Sequence, residues 1–106
     1  MDIKQKILEQ ITEEEVVALT QKLVRTESYY GVPAVETAVA NCIGFFLQTE
    51  GINAEVKEIF DGRSNVYGEL TGDGAGPTLL LCGHLDTVPP NNMEIEPFKA
   101  YLENGR

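Results

Sequence analysis

Residues 78–82, Thr-Leu-Leu-Leu-Cys, form an unbroken apolar run closed by Gly83-His84-Leu85-Asp86. No polar residue alternates with the leucines, so the run has no solvent side. It reads as a strand buried on both faces. A strand of that kind needs a neighbouring strand on each side and a covering layer above and below. This requirement constrains the fold more than any other feature of the chain.

The remaining segments supply part of what is needed. Ile3 to Ile11 has a short helical pattern. Thr12-Glu13-Glu14-Glu15 reads as a capping box at a helix start, with three acids suited to the positive end of its dipole. Val16, Val17, Leu19, Leu23 and Val24 follow at helical spacing and predict a core-facing stripe ending near Arg25. Residues 26–32 read as a polar and aromatic loop. Pro33 predicts the first turn of a second helix. Its apolar face is Ala34, Val35, Ala38, Val39, Cys42, Ile43, Phe46 and Leu47, with Gly51 as its C-terminal stop. Asn53–Phe60 and Asn65–Leu70 read as strands, joined at Asp61-Gly62 by a hairpin turn that Arg63-Ser64 lengthens. Gly72 to Pro77 is a turn. Beyond Pro89 the chain reads as loop. The order is two helices, a hairpin, then a buried central strand, which is an α/β layer plan with too few strands.

The chain has 106 residues, so one domain at most is expected. Its net charge of −9 excludes nucleic acid and anionic membrane as partners, since both call for a basic patch. Cys42 and Cys82 cannot build a disulfide framework. They read as buried, reduced thiols, in keeping with a cytoplasmic protein. The first ten residues lack the apolar segment of a signal peptide.

His84 is the only histidine. In an extended segment residues two apart project together, so His84 and Asp86 share a side just past the strand. Open α/β sheets bind ligands at that end. Three readings are open. His84 and Asp86 form a local structural hydrogen bond; or His84 ligates a metal while Asp86 holds its other ring nitrogen; or the pair activates a serine, Ser28 or Ser64, although neither lies in a nucleophile elbow. Gly72, Gly74 and Gly76 precede a strand and no Lys follows, so they read as a turn and not a phosphate loop. Tyr29 and Tyr30 read as packing aromatics, and Glu94 and Glu96 as surface acids.

The segment Leu80-Leu81-Cys82-Gly83-His84-Leu85-Asp86-Thr87-Val88-Pro89 resembles the first metal motif of a zinc-dependent exopeptidase and amidohydrolase family. That family includes acetylornithine deacetylase, succinyl-diaminopimelate desuccinylase, aminoacylase and glutamate carboxypeptidase. Residues 23–28, 46–52, 65–68 and Glu96-Pro97-Phe98 also look like elements of it, in the same order. The family's tryptophan before the Pro-Phe element is missing, since the chain has no Trp.

The resemblance implies that His84 ligates zinc, with cobalt or manganese as alternatives. It implies that Asp86 is a catalytic-site residue orienting and polarising that imidazole. The implied fold is a partial zinc-exopeptidase-like α/β catalytic domain, with helices packed on a mixed sheet. Residues 1–106 are then the N-terminal portion, ending before the remaining ligands and the lid or dimerisation domain. The implied activity is metal-dependent hydrolysis of amide bonds in N-acyl amino acids or short peptides. In the complete homodimeric protein two zincs activate a water and a glutamate takes its proton. The fragment alone is expected to be inactive. The competing expectation is a noncatalytic α/β module that keeps the His-x-Asp motif without the chemistry.

Overall fold

The computed structural model describes residues 2–106, which fall into two units, 2–26 with 92–106 and Glu27–Asn91.

In the first unit, Ile3–Leu8 forms helix α1 and Glu13–Arg25 forms α2. The expected capping box is present. Thr12 Oγ1 accepts from the Glu15 N–H at 3.1 Å, and Glu15 Oε2 accepts from the Thr12 N–H at 2.9 Å. The expected core stripe of α2 is not formed. None of its residues is fully buried, and Val16 and Val24 are exposed. Residues 92–106 reach α2 through polar bonds instead: Gln21 Nε2 donates to the Ala100 carbonyl at 2.7 Å and Arg25 Nε to the Lys99 carbonyl at 3.1 Å.

The cap yields a prediction. Bonds from the Thr12 backbone, then from its side chain, hold the Glu15 carboxyl below the usual glutamate range. A lowered folded value means that the stabilisation is present above the ordinary glutamate pKa and lost as pH falls through the lowered one. Helical circular dichroism should therefore decline through that acid window, and the decline should be smaller for Glu15→Gln. Thr12→Ala should cost helix α2 about 1 kcal/mol. An identical acid profile for Glu15→Gln would rule out the cap as a contributor.

The second unit carries helix α3, Thr37–Thr49, packed on a two-stranded antiparallel sheet of β1, Asn53–Phe60, and β2, Arg63–Glu69. The strands alternate as half-buried surfaces should: Ala54 and Val56 are inside, Glu55 and Lys57 outside. Val56 pairs with Val66. Helix and sheet approach closely at Gly44, where a Cβ would lie 2.8 Å from Val56 Cγ2. Only Gly permits that approach without a shift. The apolar core is Val35, Val39 and Ala40. At the end of α3, the Ile52 and Gly51 N–H groups return to the Leu47 and Gln48 carbonyls, the pairing of a Schellman motif.

Several expectations need correction. Helix α3 starts at Thr37, not Pro33. Ala34 and Val35 take positive φ, 56° and 44°, so residues 33–36 form a turn. A β-branched residue rarely adopts that conformation; here it accompanies burial of Val35 and Glu36. The hairpin turn is the two residues Asp61-Gly62, with φ 53° and 81°, as in a type I′ turn. Arg63 and Ser64 belong to β2 and do not lengthen the turn. A bulge near Ile59, between the Glu58–Ser64 and Phe60–Arg63 pairs, bends the strand there. Cys82 is exposed and Cys42 half-buried, so the thiols are not both buried, although both are free.

The largest correction concerns residues 78–82. They form no strand, and Leu79, Leu80 and Leu81 are 82%, 83% and 84% exposed. The sheet among the described residues is not mixed. A buried strand forms only where ladder partners and covering layers exist, and β1 and β2 pair with each other alone. No helix among the described residues is long and apolar enough to cross a membrane.

Candidate functional site

His84 and Asp86 lie in the second unit, beside β2 and the start of α3. Two local devices hold them. The Thr87 N–H donates to the Ser28 carbonyl at 3.1 Å, and Tyr29 and Thr87 form a parallel bridge. This bridge anchors the segment just beyond Asp86. Gly83 provides no special turn: its φ is ordinary and a Cβ there would meet open space.

The expected pair is formed. His84 Nδ1 lies 2.8 Å from the Asp86 carbonyl oxygen and 3.2 Å from Asp86 Oδ1. Both partners are acceptors, so the geometry assigns the proton of a neutral ring to Nδ1. Nε2 then carries the lone pair. The side chain is 85% exposed, so that lone pair faces solvent. Both hydrogen bonds of His84 go to Asp86. The serine reading gains no geometry. Ser28 and Ser64 are buried, and Ser64 Oγ lies 3.1 Å from Thr37 Oγ1 instead.

Two residues absent from the sequence-based site complete the cluster. Glu36 sits at the N-cap position of α3, yet its side chain caps nothing. Both its oxygens accept from Arg63: Nε lies 3.0 and 3.1 Å from Oε1 and Oε2, and Nη2 lies 2.8 Å from Oε2. Glu36 is 7% exposed, so this bidentate pair is anchored on the inner side. Arg63 Nη2 also lies 3.7 Å from Asp86 Oδ2. The hydrogen bonds to Glu36 raise the Arg63 pKa above its already high ordinary value; burial opposes them, and the charges of Glu36 and Asp86 assist. The guanidinium is a fixed cation at any working pH.

The sequence held one signal for Glu36. It shares the face of Val39 and Ala40 at helical spacing, and a carboxylate on an apolar face calls for a partner. Nothing in the sequence names that partner as Arg63, 27 residues on.

Glu36, Arg63, Asn65, His84 and Asp86 line a cleft of about 210 Å³. That is smaller than the roughly 300–1,000 Å³ of ordinary ligand pockets. Tyr29 and Tyr30 do not line the cleft.

The donor chemistry fits one corner of a metal site. His84 offers Nε2, and Asp86 already occupies Nδ1 in the way that orients ligating histidines. A catalytic zinc takes about three protein ligands and a water. Among the described residues no group of three His, Cys, Asp or Glu side chains comes together as a donor set.

The chain is similar to several curated hydrolases. It is 32% identical over 97 residues to a succinyl-diaminopimelate desuccinylase of Methylobacterium nodulans, covering 84% of this chain and 23% of that protein. It is 28% identical over 92 residues to the Wolbachia pipientis desuccinylase, covering 84% of this chain and 22% of that one. A protein of Aspergillus clavatus named as a carboxypeptidase is 40% identical over 55 residues, 52% of this chain and 13% of its own length. The chain thus spans under a quarter of the length of these relatives. No family model matches the chain, and no solved structure matches it. The relatives' names point to hydrolases, in agreement with the resemblance drawn from the His84 motif.

Proposed function

We propose that residues 1–106 are the N-terminal portion of a metal-dependent hydrolase of amide bonds in N-acyl amino acids or short peptides. In this reading His84 supplies one metal ligand through Nε2, and Asp86 holds the ring by Nδ1. The observation that carries it is the pairing of Asp86 with Nδ1, which leaves the other nitrogen free and facing solvent. The names of the relatives support the reaction class, and their greater length supports a longer catalytic domain. Zinc, with cobalt or manganese as alternatives, supplies polarisation of the scissile carbonyl and activation of water when bound. The residues in hand orient a ligand. They provide no identified general base, so the 106-residue chain is inactive alone. The working protein is a cytoplasmic homodimer.

Zinc titration of the 106-residue chain in a calorimeter tests the ligand assignment. One imidazole should bind with a dissociation constant on the order of 1 mM, about 4 kcal/mol. Structural zinc sites reach about 10–16 kcal/mol. His84→Ala should remove the heat. Tight stoichiometric binding, or binding that survives His84→Ala, contradicts the assignment. Reading the coding sequence past Arg106 separates the enzyme from a noncatalytic module. Further carboxylate and histidine ligands favour the first; a stop codon with no partner chain favours the second.

A further inference from the structure

Asp86 is exposed enough to leave His84. Its carboxylate is half-buried, and a His–Asp contact across two residues of an open segment has little to hold it against solvent. The Thr87 anchor fixes the backbone and not the carboxylate. What faces the second oxygen of Asp86 is Arg63 Nη2, at 3.7 Å. A lone surface pair at that distance holds little. Arg63, however, is not free to wander. Three contacts with buried Glu36 fix its planar fork, so the cation is set in place before Asp86 meets it. Glu36 is in turn set by the turn at Ala34-Val35, and the hairpin end is tied to α3 by Thr37 Oγ1 donating to the Gly62 carbonyl at 2.8 Å.

We propose that Arg63, clamped by Glu36, is a positioning residue that directs the Asp86 carboxylate onto Nδ1 of His84. The proposal rests on the metal reading for its purpose, because a fixed Nδ1–H leaves Nε2 as the ligating atom. It adds two residues that neither the His-x-Asp motif nor the relatives' names assign. Arg63 touches neither the ring nor a substrate. It acts through Asp86, and its fixed charge favours the carboxylate oxygen facing it while the other oxygen accepts from the ring.

Selective ¹⁵N-histidine labelling tests this on the metal-free chain, because a single histidine yields a single pair of ring signals. At pH 8 the wild type should show mainly the Nδ1–H tautomer. Asp86→Ala should move the signals toward those of free histidine, and Arg63→Gln should move them part of the same way. In an Asp86→Ala background, Arg63→Gln should add nothing. Arg63→Gln alone strands a buried carboxylate, so the neutral pair Glu36→Gln/Arg63→Gln serves as the second variant and should show the same shift in a folded chain. Signals unmoved by that pair, or moved equally with and without Asp86, overturn the proposal; so does an Asp86→Ala spectrum like the wild type. The metal reading fails on a different observation, chelator insensitivity of the longer protein, which these spectra do not touch.

Discussion

His84→Ala should abolish hydrolysis in the longer protein proposed above. That protein should cleave an N-acyl amino acid or a dipeptide, lose activity to a chelator and regain it with zinc. The loss on His84→Ala should be complete within detection, because removing one of about three ligands removes the metal as well as its orientation. Asp86→Asn should be milder. The amide still offers an oxygen, but the ring loses a charged acceptor; changes of this kind cost roughly 10- to 100-fold in metal affinity or activity. The 106-residue chain should show no turnover above background. Steady-state rates with metal content measured on the same samples check all three. Full turnover in His84→Ala, or indifference to chelator, returns His84 to the structural reading.

The second large effect is association. Leu79, Leu80 and Leu81 stand almost fully exposed in a segment that forms no strand. Unpaired backbone beside bare leucines is a template for another chain. The core inside the second unit is too small to offset this, being Val35, Val39 and Ala40. The isolated 106-residue chain should therefore sediment as oligomers and melt broadly. Burying one leucine contributes about 1.5–3 kcal/mol, so Leu80→Glu should weaken association on the order of 10- to 100-fold. Sedimentation velocity across a concentration series reads this directly. A monodisperse wild-type monomer with a sharp melt contradicts it.

These two expectations divide along the same line as the residues themselves. Local pattern was enough for the capping box of α2, because Thr12 and Glu15 meet within one turn and need nothing from elsewhere. It was enough for the body of α3, whose apolar residues recur at helical spacing, and for the paired strands, where alternation and Asp-Gly place the hairpin. It was also enough to bring His84 and Asp86 together, since two residues in extended chain share a side.

What depended on distant partners was not legible. The apolar run at 78–82 has the composition of a central strand, but composition supplies no ladder, and β1 and β2 are already paired with each other. The stripe of α2 has helical spacing, but none of its residues is fully buried. The start of α3 shifted from Pro33 to Thr37 because two left-handed residues carry Val35 and Glu36 inward. The sequence alone determined the local geometry that aims Asp86 at one nitrogen of His84. Only the tertiary structure decided that Glu36 and Arg63 stand behind that carboxylate, because an ion pair across 27 residues of chain exists only once the hairpin has folded against α3.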